Sequence, residues 1–230
     1  MNCKLTGISS MATREFLAEV ADAWRQLGGA VAFESVGGVA AAKRVLDGES
    51  LDVVVLAAGA IDKLVAAGRV VPGTKVDLLN SSVAIAVRAG SPRPAIDSEA
   101  ALRQAVLSAR TIGYSTGPSG DALLKLFEQW GIAASIRPCL VQAVPGVAVG
   151  LLIDRGDVEL GFQQLSELMH LDGIDVIGPM PPGLEIVTTF SGGVCSTTAN
   201  AGTARALLEF IRSPTSDAAK LRYGMQPVRC

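Results

Sequence analysis

Short apolar runs alternate with stretches of helical periodicity along the chain, and glycine stands at many of the exchanges. Lys4-Leu-Thr-Gly-Ile-Ser9-Ser10 reads as a strand that stops at two serines and opens directly into a helix. Phe16, Leu17, Val20, Ala21, Trp24 and Leu27 fall at helical spacing, and Gly28-Gly29 ends that helix. Residues 30–34 form a short strand, Ser35-Val-Gly37-Gly38 a glycine turn, and residues 39–46 a second helix. Leu51-Asp-Val-Val-Val-Leu56 has the apolar character of a strand buried on both faces, and a third helix spans residues 60–67. Such alternation dictates an α/β fold with a parallel sheet.

The pattern continues after residue 80. Asn80 to Val87 is an apolar strand, and Ala89 to Pro94 a loop. Helices are expected over residues 98–109, 121–130, 147–155 and 203–212, with strands over 111–114 and 158–164. Leu184 to Ser191 is another extended run, and residues 218–223 form a short helix closing on Gly224. The strand–loop–helix theme thus occurs once before Ser81 and once after it, with different junction sequences, which suggests two lobes.

A chain of 230 residues with 49% apolar content can bury a substantial core. Its net charge of −2, with acids and bases interspersed, lacks the basic patch of a nucleic-acid footprint. No apolar run is long enough to span a membrane, so no membrane insertion is expected. The N-terminal stretch has no continuous apolar core before Arg14, Glu15 and Glu19. That reads as a cytoplasmic protein, or as a periplasmic one if the chain is a trimmed mature form. Cys3, Cys139, Cys195 and Cys230 are widely scattered, and His170 has no ligand partner near it in sequence. Neither a metal site nor a cofactor is expected.

Chemistry concentrates at four junctions: Ser9-Ser10, Gly37-Gly38, Ser119-Gly120 and Gln142 to Gly146. In an open parallel sheet such junctions gather outside the carboxyl ends of the strands. Helix starts offer free N–H groups and a positive dipole end, and serines add hydroxyls, so the set suits an anion. Taken singly, each has a plainer reading, as a helix cap or a tight turn. Ser115-Thr-Gly-Pro-Ser119-Gly120 lacks the Gly-Lys-Ser/Thr ending of a phosphate loop. Arg14 and Lys43 are candidate counter-charges, or else residues of solvated helix faces. Glu34, ending a strand before the glycine turn, is a candidate general base if buried and an ordinary solvated side chain if not.

Read in order, several stretches resemble the type 2 periplasmic binding protein fold, and within it the molybdate-binding protein family. They include Ile8-Ser-Ser-Met, Ala42-Lys-Arg-Val-Leu-Asp-Gly48 with Leu51-Asp-Val-Val, Asn80-Ser with Val83-Ala-Ile-Ala-Val87, Pro118-Ser-Gly120 and the tail Phe210-Ile-Arg-Ser-Pro214 with Arg222-Tyr-Gly-Met225. The resemblance implies two Rossmann-like α/β lobes with mixed or parallel sheets, joined by two crossing strands, with a ligand buried between them. Lobe I would comprise residues 1–81 plus 190–230, and lobe II residues 82–189. The family's anion-binding positions fall on Ser10, on Gly37-Gly38 where a serine is missing, on Ser119, near Val144, and near Gln164 where a tyrosine is missing. With two hydroxyls lost and the amides of Gln142, Gln163 and Gln164 nearby, the implied site suits a larger organic acid better than a compact oxyanion.

Two functions follow from this resemblance. One is an intracellular isomerase that shifts a double bond in an unsaturated di- or tricarboxylate, similar to the family's aconitate isomerase-like branch. The other is a receptor for molybdate or another small anion, with an ABC permease as partner only if the protein is exported. A third, a ligand-sensing module, lacks the DNA-binding helices such modules carry. In each case the partner is a small anionic ligand, not nucleic acid.

Overall fold

The computed structural model describes residues 4–228. They fall into two compact units, one holding the chain up to Ser81 and again from Thr188, the other Ser82–Val187.

The first unit opens with β1 (Leu5–Ser10), a single 3-10 turn (Met11–Thr13) and α1 (Arg14–Gln26). Then come β2 (Val31–Val36), α2 (Gly38–Leu46), β3 (Val53–Ala57), α3 (Ala58–Ala66) and the long strand β4 (Val76–Arg88), whose second half belongs to the other unit. β1 lies between β2 and β3 and runs parallel to both, with Ser9 opposite Ser35 and Val55. No side chain fits at Gly7 in the middle of β1, where a Cβ would stand 2.5 Å from the Phe33 ring and 2.8 Å from Val53.

In the second unit β4 is followed by α4 (Glu99–Ser108), β5 (Ile112–Tyr114), α5 (Pro118–Gln129), α6 (Ala133–Ile136) and β6 (Leu140–Gln142). α7 (Val149–Arg155), β7 (Leu160–Gln164), α8 (Leu165–Leu168) and β8 (Ile174–Pro179) complete it. β5 is parallel to β6 and β7, while β7 and β8 run antiparallel to β4. The chain then returns to the first unit through β9 (Val187–Val194), α9 (Ala201–Arg212), α10 (Asp217–Arg222) and β10 (Met225–Pro227). β9 is antiparallel to β3, and β10 is antiparallel to β4 at Leu79–Ser81. The fold is therefore α/β with mixed sheets.

Side-chain alternation along the first unit's strands sorts its core into two layers. Leu5, Val53 and Val55 pack with Phe16, Leu17 and Val20 of α1 and Leu207, Leu208 and Ile211 of α9. Ile8, Val54 and Leu56 pack on the other face with Ala41 and Val45 of α2 and Ile61 and Leu64 of α3. The second unit is built the same way. Val83, Ile85 and Phe162 meet Leu102, Val106, Leu123 and Phe127, while Ala84 and Ala86 meet Val149, Ile153 and Leu168.

The strand–helix order matches the sequence reading, with shifts at element ends. α5 begins at Pro118 rather than Asp121, because proline is preorganised for the first helical position. The second extended run lies at 187–194, three residues later than expected. β4 starts at Val76, ahead of the expected Asn80, because Asp77 and Asn80 interrupt its apolar pattern. β6, β8 and β10 were not foreseen.

One buried carboxylate fastens the amino ends of β1 and β3 to the chain leaving the carboxyl end of β9. Asp52, just before β3, accepts from the Thr6 backbone N–H (2.8 Å) and hydroxyl (3.1 Å) of β1, and from the Thr198 hydroxyl beyond β9. Its backbone donates to Thr6 O and accepts from Cys195 N–H (both 2.9 Å). Burial pushes the Asp52 carboxyl up, but hydrogen bonds from Thr198, Thr6 and Asn200 outweigh it and hold the group below the usual carboxylate range. Burial, aided by the Asp52 charge, pushes the neighbouring Cys195 thiol up to about 12. A second buried charge, Lys220, caps the last turn of α9 by donating to Arg212 O (3.1 Å) and pairs with Asp217 (2.9 Å).

Asp52→Ala is expected to cost about 2–3 kcal/mol, because it leaves buried donors without their ionised acceptor. The folded carboxyl lies below its unfolded value of about 3.9. Its contribution is therefore present above that value and disappears as pH falls through the lower, folded one. Denaturant unfolding across the acid range should show Asp52→Asn lacking this part of the wild-type loss.

Candidate functional site

Parallel strands point their carboxyl ends to one edge, so the helices that follow begin there. In the first unit three such starts stand side by side, after β2, β1 and β3. Ser10 ends β1 in extended conformation and its side chain makes no capping bond. Gly37 before α2 and Ala57 before α3 make none either. α4, which does not follow a strand end of this kind, is capped in the ordinary way: Ala101 N–H donates to Ser98 Oγ at 3.2 Å. The first-turn N–H groups of α2 and α3 thus lack side-chain caps at an edge where Ser10 is half-buried.

Ser9 and Ser10 differ in what they can do. Ser9 is fully buried, its hydroxyl 2.7 Å from Ser35 Oγ and 3.3 Å from Ser10 O. Ser9 therefore holds β1 against β2, and Ser10 alone of the pair presents a hydroxyl at the edge. Gly38 adjoins it: a Cβ there would meet only Ser10 Oγ at 3.7 Å and Ser10 Cβ at 4.0 Å. The structure thus brings the Ser10 and Gly37-Gly38 junctions together, within van der Waals reach of a side chain at Gly38.

The charged candidates do not join them. Glu34 lies exposed on β2 in a two-pronged ion pair with Arg44 (2.6 and 2.8 Å), and Arg44 also grips Glu49 (2.5 Å). That guanidinium holds the Glu34 carboxyl below the usual range. The burial that a general-base role required is absent, and the expectation is corrected. Arg14 pairs with Glu15 (2.7 Å) and Lys43 with Asp47 (2.5 Å), both on exposed helix faces. Neither behaves as a buried counter-charge.

In the second unit, the loop from β5 to α5 turns at Gly117, whose φ of +92° glycine adopts without strain. Ser119 is buried in the first turn of α5, its hydroxyl 3.1 Å from Ser115 Oγ. Gly120 admits no side chain, since a Cβ would stand 2.0 Å from Ser115 O. Gln142 is exposed at the end of β6, and Val144, in the loop before α7, is 64% exposed. Gln163 and Gln164 are both buried at the end of β7. Gln163 Oε1 accepts from Val149 N–H at 2.7 Å, capping α7, and its amide donates to Glu167. Each end of the Gln163 carboxamide thus has a partner within its own unit.

Sequence reasoning missed Ser35 and Ser115, the hydroxyl partners of Ser9 and Ser119. Their place within the same junction motifs was the available signal. It also missed the uncapped start of α3 at Ala57-Ala58-Gly59, which carries no polar side chain to mark it. Among the described residues, no group of three or more His, Cys, Asp or Glu is placed to hold a metal ion. No helix among them is long and apolar enough to cross a membrane.

The sequence matches the family model described as bacterial extracellular solute-binding protein over residues 5–226. It is 36% identical over 231 residues to an aconitate isomerase from Pseudomonas sp, covering 97% of this chain and 88% of that protein. Among solved structures it resembles the periplasmic molybdate-binding protein of Azotobacter vinelandii, with a TM-score of 0.81, 17% identity, and coverage of 98% of this chain and 100% of that one. It also resembles the sulfate-binding protein SubI of Mycobacterium tuberculosis H37Rv, with a TM-score of 0.80, 17% identity, and coverage of 99% and 88%.

Two glycines in first helical turns should respond oppositely to alanine. Gly120→Ala is expected to destabilise by about 1–3 kcal/mol or more, since backbone must move to admit the methyl. Gly38→Ala meets only ordinary contacts and should hold or gain up to about 1 kcal/mol. Paired thermal melts check both.

Proposed function

The chain belongs to the bacterial extracellular solute-binding protein family, and we propose that this member binds a small polycarboxylate and isomerises an unsaturated one of the aconitate type. The observation that carries this reading is 36% identity across 97% of the chain to an aconitate isomerase. The site supports it chemically. Ser10 supplies a hydroxyl, α2 and α3 supply first-turn N–H groups without side-chain caps, and Gly38 carries no side chain to cover the Ser10 hydroxyl.

Moving a double bond along a carboxylate-bearing chain requires one C–H proton to leave. The electron pair spreads through the allylic system into a carboxylate, and a proton returns at the far carbon. The intermediate carries extra negative charge on carboxylate oxygens. Fixed N–H donors at helix starts stabilise such charge without reorganising, which is how they favour the intermediate over the bound acid. Glu34, held ionised by Arg44 on an exposed face, is not the proton carrier in this scheme.

A receptor role without turnover is the second reading, favoured by the family's extracellular solute-binding description. Proton NMR of cis- and trans-aconitate in deuterium oxide with purified protein separates the two. Interconversion with deuterium entering the methylene position is the expected result. Calorimetric binding without exchange would mean a receptor, and binding of molybdate or sulfate but of no carboxylate would sink the polycarboxylate reading. Ser10→Ala should weaken trans-aconitate binding about tenfold, the equivalent of about 1.4 kcal/mol, the size of one hydrogen bond to a charged group.

A further inference from the structure

The edge that carries Ser10 and the start of α3 continues across two more strands of the first unit. β9 lies beside β3, and β4 beside β9. Ala57, the last residue of β3, stands opposite Phe190. Thr189 is therefore one residue beyond the carboxyl end of β3, level with Ala58, where α3 opens. There the Thr189 hydroxyl donates to Asn80 Oδ1 of β4 at 2.8 Å, and both residues are half-buried. Ser10, the Ala57-Ala58 start, Thr189 and Asn80 thus follow one another on four neighbouring strands.

The bond orients the amide. Thr189 spends its only proton on the Asn80 carbonyl oxygen, so the end of the carboxamide left to donate is its NH2, with two N–H groups and no charge. Neighbouring strands are about 4.8 Å apart, so β3 and β4, two spacings removed, are roughly 10 Å apart. A ligand that bridges the two must therefore meet side chains extending from both strands. Gly59, in the first turn of α3, is exposed: a Cβ there would meet nothing within 4 Å, and its φ is not left-handed. A glycine lowers helix stability, and at this position neither backbone nor packing requires it.

We propose that Asn80, oriented by Thr189, binds a second carboxylate of the ligand and so selects di- and tricarboxylates over monocarboxylates. This rests on the polycarboxylate reading above and names the residue that would enforce it. The alternative, that the bond only ties β4 to β9, predicts a loss of stability without a change in selectivity.

Calorimetry with trans-aconitate and with the monocarboxylate crotonate, on wild type, Asn80→Ala, Asn80→Asp and Thr189→Val, separates the two. Asn80→Ala should weaken trans-aconitate at least tenfold and crotonate no more than twofold. Asn80→Asp, nearly isosteric but negative, should weaken trans-aconitate at least a hundredfold. Thr189→Val, which keeps Asn80 but frees its orientation, should weaken it about threefold. Unchanged trans-aconitate affinity in Asn80→Ala, or an equal loss on both acids, overturns the assignment while leaving the polycarboxylate reading in place. Wild-type protein that binds neither acid overturns both.

Discussion

The Asp52 carboxylate sits at the opposite edge of the first unit from its candidate binding residues, yet it decides which residues those are. By holding Thr6 of β1 through both backbone and side chain, and Thr198 beyond β9, it fixes the register of three strands at their shared end. Strand side chains alternate strictly, so a slip of one residue would exchange the faces of a whole strand. Ser10 would lose its place beside Gly38, and Ser9 its bond to Ser35. The hydrogen bonds that keep Asp52 ionised despite burial therefore reach function through geometry alone.

The alternation of elements was legible because it is a local property. Buried parallel strands such as Val53–Ala57 are apolar runs, and helices such as α1 repeat at helical spacing. The strands that escaped notice are held by partners instead. β10 is three residues long and exists because Leu79–Ser81 offers it an antiparallel edge. β8 follows Asp172-Gly173 and contains Gly178-Pro179, which read locally as turns, but pairing with Ala84–Arg88 straightens it.

The candidate site divides along the same line. The placement of Ser10, Gly38 and Ser119 at helix starts was legible because a helix start after a strand leaves a mark in adjacent residues. That Val149 and Glu167 bond the Gln163 carboxamide is a tertiary fact with no mark in the adjacent residues. Glu34 was misread because Arg44, ten residues on and in another element, meets it at the surface. The bond between Asn80 and Thr189 joins residues 109 apart and has no local signature at all. Glycine carries opposite meanings here. Gly7 and Gly120 are required by backbone or rings that a methyl would strike, whereas a methyl at Gly38 would meet only ordinary contacts and one at Gly59 none.

The route of the chain through its two units also sets an order of assembly. The second unit is one continuous stretch, Ser82–Val187, whose strand partners all lie within it once β4 is present. The first unit is split, and β3 lacks its neighbour β9 until residues beyond 187 have been made. The edge of β4 at Leu79–Ser81 waits longer still, for Met225–Pro227. During synthesis the inserted unit can therefore fold while the unit that encloses it is incomplete. Contacts of such long sequence separation are slow to form, so the first sheet keeps an unfilled slot until the last strands arrive.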